Sequence, residues 1–416
     1  MDWTHSDVLG PLGGLDGCLW RSLVWASRKP FVMHVMPSIV TMRVDDVAGR
    51  GKLWNNSPLY WVKTSNKYGF KPWLGLFIYN LTPETIDELR TLILSGGATA
   101  SPHAFGRPNR KNDISESYIP DNPLDTVPFY YNPDAMPLRS DTYDEFIFFD
   151  HHNEIPWPEL EVEHGFQALR KWYQDNGPLP ISKLLLPHWY EIGHNTAPYV
   201  KDFLKSEFIA LAKPVDLPYD NQTNWLVSGP FRLYEKPGVS TGWTREGGPR
   251  PVYYADFIQL GDLELFNCLT EIRDDAGYEW APDNDLEATV GRGVRQLKRA
   301  FDSRALAVLF THETDYIYAI EPEKWDKELE RISQAISIND PVYMTMDDAL
   351  TVVRAYVSSN ISSITYDPDG KNYSISFEGK AKVNTWVEIF TEQEEEIKSE
   401  FRLIPSFSGT NEVILK

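Results

Sequence analysis

Cysteine is nearly absent, with only Cys18 and Cys268 in 416 residues. Two thiols are too few to staple a chain of this size, and their separation has no metal-ligand spacing. No apolar run approaches the ~18 residues that would read as a membrane span. Nor does the N-terminus carry a basic stretch followed by an apolar core. Also missing are a glycine-rich dinucleotide fingerprint and a phosphate-cradling lysine loop, which weakens nucleotide binding. Positive charge is in short supply: 40 Lys and Arg face 60 Asp and Glu, a formal net charge of -20. Such a surface repels phosphate backbones, which makes nucleic acid a poor partner. Hydrophobic residues at 42% and charged residues at 24% are ordinary for a globular protein and exclude a disordered or collagenous chain. What stands out is aromatic content, 13% with 14 Trp. Trp and Tyr faces suit sugar rings as well as protein cores, and a large core is the favoured reading.

From about Ser38 to His312 apolar strand-like runs alternate with helical periodicity. The expected strands are Ser38–Val47, Pro72–Asn80, Ala98–Phe105, Glu145–His152, Ser182–Tyr190, Pro251–Leu260 and Leu306–His312. Between them, Thr82-Pro83-Glu84 caps a helix whose Ile86, Leu89 and Ile93 share a face. The same spacing recurs at Val162, Phe166, Leu169 and Tyr173, at Val290, Val294, Leu297 and Phe301, and at Trp325, Leu329, Ile332 and Ile336. Alternation of this kind predicts an α/β fold, either a (β/α) barrel or a doubly wound sheet. Three units are expected: a lead-in over 1–37, an α/β unit over 38–358, and a small antiparallel β module over 359–416. The last is signalled by the Asp367-Pro368-Asp369-Gly370 turn between two β-type runs. Two irregular insertions, near 106–144 and 213–250, interrupt the alternation, the second bearing Tyr219, Trp225, Tyr234 and Trp243.

Ionisable residues gather at the C-terminal ends of the expected strands, where parallel α/β folds build sites. Asp45 and Asp46 end the first strand, and His103, His151, His152, His188 and His312 end later ones. Imidazoles with one carboxylate form a borderline-soft donor set that suits Zn²⁺, with Co²⁺ or Ni²⁺ as alternatives, better than Mg²⁺ or Ca²⁺.

The order Arg43-Val44-Asp45-Asp46, Ser101-Pro102-His103, an aromatic-rich Pro187–Gly193 segment and Leu309–His312 resembles the polysaccharide deacetylase superfamily. The likeness runs from roughly Ser38 to Glu313, about two thirds of the chain. It implies a distorted (β/α) barrel of about seven strands and metal-dependent removal of acetyl groups from a polysaccharide or oligosaccharide. By the same resemblance Asp45 corresponds to the catalytic base, Asp46 to the metal-binding aspartate, His103 to the first metal-binding histidine and His312 to the general acid. The family places a second histidine four residues after the first, where this chain has Arg107; His152, or else His151, is the expected substitute. Pro187-His188-Trp189-Tyr190 stands where the family has an arginine-proline-aromatic motif, without the arginine. His188, Trp189, Tyr190 and Arg43 are therefore expected on the substrate side, with Arg43 or His188 positioning Asp45. A backbone N–H near Tyr190 is expected to face the oxyanion, and Asp274 or Asp315 to orient His312. Two other readings stay open at this point. One is a glycoside hydrolase pairing Asp45 with Glu191 or Glu313. The other is a non-catalytic carbohydrate-binding protein with a degenerate site.

Overall fold

The computed structural model describes residues 15–27, 30–49, 51, 55–106, 138–139, 142–143, 145–211, 215–216, 255–268, 279–302, 304–314, 316–370 and 372–415. At its centre four parallel strands lie in the order Ala307–His312, Ile39–Val47, Pro72–Phe77 and Thr99–Ala104. A fifth, Val342–Tyr343, also pairs in parallel with the start of Ile39–Val47. Every residue of Ile39–Val47 and Pro72–Phe77 is buried. Continuous apolar runs are what strands covered on both faces require. A second sheet runs Leu184–Leu185, Phe208–Ile209, Leu263–Cys268 and Ala255–Leu260. Its first three strands are parallel and the last is antiparallel. Ser182 N–H donates to Ala100 C=O at 2.7 Å and links the two sheets. The fold is thus mixed α/β with a parallel sheet. Among the described residues no ladder closes the two sheets into one ring.

Three expected strands differ from the structure. Glu145–His152 forms bends and a turn, with Asp150 bridged to Ile155. Its Phe146, Ile147, Phe148 and Phe149 are buried as an irregular segment, so apolar content alone produced the strand reading. In Ser182–Tyr190 only Leu184–Leu185 is strand, because Trp189 (φ 58°) and Tyr190 (φ 60°) turn left-handed. The strand expected over Pro251–Leu260 is the exposed, antiparallel Ala255–Leu260, and its hairpin partner Leu263–Cys268 had no counterpart in the sequence reading. Most of both insertions, including Tyr219, Trp225, Tyr234 and Trp243, lies outside the described residues, as do Arg107, Asp274 and Asp315.

The anticipated helices form as Pro83–Leu94, Glu159–Asp175, Leu286–Asp302 and Pro322–Ile336. Thr82 caps the first, its hydroxyl accepting from Thr85 N–H at 3.0 Å. In Pro322–Ile336 the buried stripe Trp325, Leu329, Ile332 and Ile336 also contains Glu328, which is 0% exposed. Among the described residues neither of its carboxylate oxygens has a hydrogen-bond partner. Burial, aided by Asp283 and opposed by Arg292 and Lys324, pushes its carboxyl from 4.5 up to about 8. The folded form therefore keeps a proton that the unfolded chain releases near 4.5, and stability falls as pH rises from there to about 8. Glu328→Gln is expected to raise stability by on the order of 2 kcal/mol at pH 8 and by little at pH 5. Denaturant unfolding at the two pH values checks this; an equal effect at both would show that ionisation is not the cause.

The C-terminal strands form two three-stranded antiparallel sheets. One is Ser359–Asp367, Asn372–Ala381 and Phe407–Leu415. The other sets Thr385–Gln393 between Glu396–Ile404 and Phe31–His34. A second apolar core made of Val32, Tyr373, Ile375, Phe377, Val387, Ile389 and Ile404 is common to both. The lead-in thus donates a strand to the C-terminal sheets.

Candidate metal centre and active site

The site begins with an interruption in the central sheet. Neighbouring residues on a strand point to opposite faces. Pairing between Ile39–Val47 and Pro72–Phe77, however, jumps from Val44 to Val47, and Asp46 adopts a left-handed backbone with φ 56°. A left-handed aspartate is strained, and such strain gathers at functional positions. The consequence is that Asp45 and Asp46, 2% and 3% exposed, turn to the same cleft. Glu313 secures the loop beyond them: its carboxylate accepts from Ala48 N–H at 2.6 Å, Gly49 N–H at 2.8 Å and the Trp61 indole at 2.8 Å.

His103 sits at a second break in register, between the pairs Leu76–Pro102 and Phe77–Ala104. Such irregularities re-aim side chains. Its ring passes over Gly75, where a Cβ would come within 3.1 Å of the imidazole Cγ. The Nδ1–H donates to Leu186 C=O at 2.7 Å, which fixes the tautomer and leaves Nε2 as the donor atom for a ligand. That Nε2 lies 3.5 Å from Asp46 Oδ1 and 3.9 Å from Asp45 Oδ2. Burial pulls His103 down to about 4, so the ring is neutral at physiological pH, as metal ligation requires.

The third member of the cluster is His188. Its Nδ1 lies 3.6 Å from Asp46 Oδ1, and donor atoms of Asp46, His103 and His188 all fall within 4.8 Å of one another. Four ligands about 2.0–2.1 Å from a tetrahedral zinc are separated by roughly 3.3–3.5 Å. The spacing of 3.5 and 3.6 Å around Asp46 fits such an ion. Glu145 Oε1 lies 3.8 Å from His188 Nε2, beside the ring nitrogen that faces away from Asp46.

His152, expected as the second histidine ligand, does not join this group. Because its segment turns instead of forming a strand, His152 is exposed and edge-on to Phe146 at 5.5 Å. His151 is not in the group either; it stacks between Phe146 and Trp189 at 4.7 and 4.8 Å and donates to buried Glu191 at 2.8 Å. His188, expected on the substrate side, is brought in by the left-handed pair Trp189 and Tyr190. The same turn uses the Tyr190 backbone N–H, which donates to Pro187 C=O at 2.8 Å and is not available to an oxyanion.

Arg43, 1% exposed, faces Asp45. Its Nε donates to Asp45 Oδ1 at 2.8 Å, Nη2 donates to Oδ2, and Nη2 reaches the Tyr190 hydroxyl at 2.9 Å. The guanidinium lies 3.8 Å from the Phe310 ring centroid, so packing locks the fork in place. Burial opposes charge on Asp45, yet Arg43, with His103 and His312, holds its carboxyl below the usual range. The residue is therefore ionised at neutral pH.

His312 ends the neighbouring strand in register with Asp45. Its Nδ1 lies 2.6 Å from Glu279 Oε2, and Tyr316 donates to Glu279 Oε1 at 2.7 Å. Burial disfavours the imidazolium, but Glu279, Asp46 and Asp45 hold it up at about 9. A positive charge brought to Asp46 would lower it toward the ordinary imidazole range. Among the described residues Glu279 is the carboxylate beside the His312 Nδ1, while Asp274 and Asp315 lie outside them. It had no periodic signal of its own, and Trp280 N–H, donating to Phe310 C=O at 2.7 Å, is what carries it to the strand of His312.

No family model matches this chain, and no curated protein matches it. Four solved chains do, among them the crystal structure of a Mycobacterium smegmatis protein provisionally assigned as a polysaccharide deacetylase. It shares 10% identity with this chain at a TM-score of 0.40, covering 78% of this chain and 92% of its own. At that distance the likeness decides neither fold nor function, and the site stands on its own geometry.

Proposed function

We propose that the protein is a metal-dependent hydrolase that removes acetyl groups from an acetylated amino-sugar polysaccharide or oligosaccharide. The observation that carries this is the convergence of Asp46, His103 and His188 donor atoms within 4.8 Å of one another, beside an Arg43-held Asp45 and a Glu279-backed His312. Asp46, His103 and His188 would hold a divalent ion, with zinc favoured by the donor set and cobalt or nickel as alternatives. When bound, the ion supplies Lewis acidity to the acetyl carbonyl and lowers the pKa of water. Asp45 accepts the proton of the attacking water, and Arg43 keeps that carboxylate ionised and aimed. His312 gives a proton to the departing amine nitrogen, and Glu279 holds the imidazole in the tautomer that presents Nε2–H. Acetate leaves as the acid product and the free amine stays on the glycan. Tyr190 buttresses Arg43, and Trp189, half-buried against His151, offers an aromatic wall for a sugar ring.

In the same reading the two sheets are arcs of one distorted barrel. Residues 38–358 form the catalytic unit, with 359–416 as an accessory β module that takes a strand from the lead-in. A metal-free glycosidase is disfavoured, because Glu313 is engaged by three N–H donors and Glu191 by His151. Incubating the protein with N-acetylglucosamine oligomers and zinc is expected to release acetate. Chelation should abolish the release and added metal should restore it. Cleavage of the glycan chain that survives chelation would overturn the proposal in favour of a glycosidase.

A further inference from the structure

A cavity of about 510 Å³ lies far along the strands from the metal centre. Asp45, Asp46, His103 and His312 occupy the C-terminal ends of their strands, and His188 follows the strand Leu184–Leu185. The cavity is lined instead by Glu207, immediately before the strand Phe208–Ile209, and by Leu263, which begins Leu263–Cys268. It opens at the opposite edge of the sheet, where helix Met346–Val357 meets the C-terminal strands. Lys380 N–H donates to Ser358 C=O there at 2.8 Å and joins the two parts of the wall.

The lining chemistry is distinctive for so acidic a chain. Among the lining residues Arg354, Lys380 and Lys382 face Glu207 and Glu264, and Glu207 is already engaged by Arg354 at 2.7 Å and by Lys183, outside the lining, at 2.6 Å. Lys380 and Lys382, exposed on the rim, make no ion pair among the described residues. Glu264 is the remaining acidic group of the lining, and its Oε2 accepts from the Gln259 amide at 3.4 Å. Beside these charges Phe257 is 41% exposed, its ring packed 5.2 Å from Phe266. Thr351 and Ser358 add hydroxyl groups. The volume lies within the range of small-ligand sites, about 300–1,000 Å³.

We propose that this cavity binds a carboxylate-bearing saccharide unit, anchoring an acidic glycan at the junction with the C-terminal strands. Lys380 and Lys382 take the carboxylate as point charges, Phe257 supports the apolar face of the ring, and the hydroxyl groups answer those of the sugar. Overall negative charge does not forbid this, since at physiological salt charges more than about 8 Å away are screened and the local cations dominate. The inference rests on the reading of the protein as a polysaccharide enzyme, which supplies the saccharide class; the cationic, aromatic cavity stands apart from the metal centre.

Calorimetric titration of the protein with a hexamer of galacturonate, which carries carboxylates and no acetamido group, tests it against a neutral hexamer of glucose. The wild type and His188→Ala are expected to bind the acidic oligomer alike. Lys380→Ala/Lys382→Ala should weaken binding at least tenfold, Phe257→Ala should also weaken it, and added salt should reduce it. Acetate release from N-acetylglucosamine oligomers should be unchanged in the lysine double variant, so failure of this site and failure of the deacetylase reading are separable. The proposal is overturned if the acidic oligomer does not bind, if the double variant binds it as well as the wild type, or if the neutral oligomer binds equally well in competition with it.

Discussion

Asp45→Asn is expected to lower kcat for acetate release by about 10²–10⁴-fold, the contribution of a positioned general base. Metal content should remain at the wild-type level. The substitution is nearly isosteric and removes the charge that accepts the proton. One Arg43 bond can persist to the amide oxygen, whereas the amide NH₂ cannot accept the other. Asp46 keeps its own oxygen 3.5 and 3.6 Å from the two histidines, so the donor set is untouched. The paired outcome matters more than the loss itself. If metal leaves together with activity, Asp45 is a ligand and the roles of the adjacent aspartates are reversed. If turnover persists, the base lies elsewhere.

The second large effect separates His152, the ligand expected from the sequence, from His188, which the structure places beside Asp46. His188→Ala is expected to weaken zinc binding by at least about 100-fold, because a first ligand matters more than the outer partners whose loss costs 10–100-fold. His152→Ala should leave zinc affinity unchanged, since that side chain is exposed and outside the donor cluster. Competition with a chromogenic chelator reads both constants, and circular dichroism checks that each variant is folded. Loss of zinc in His152→Ala with retention in His188→Ala would reverse the assignment.

What was legible in the sequence was whatever followed from periodicity and from strand ends. The buried strands Ile39–Val47, Pro72–Phe77 and Ala307–His312 announce themselves as apolar runs, and Asp45, Asp46, His103 and His312 stand at or near such ends. What stayed hidden depended on backbone irregularity. Nothing in Pro187-His188-Trp189-Tyr190 signals two consecutive left-handed residues, yet that turn brings His188 to Asp46. Glu279 and Glu145 reach their histidines from segments without regular structure, where no period links residue spacing to direction. The hairpin joining Thr385–Gln393 to Glu396–Ile404 was missed for a similar reason. Its left-handed turn is built from Glu394 and Glu395, with φ 51° and 68°, where Asn-Gly would have been recognisable.

The most direct measurement is the zinc stoichiometry and affinity of the purified wild-type protein, determined by elemental analysis and titration after chelator treatment. Convergence of Asp46, His103 and His188 predicts one tight zinc per chain, with loss of the ion abolishing acetate release. A protein that takes up no zinc at saturating concentration, or whose zinc binding is unaltered by His188→Ala, would contradict the account.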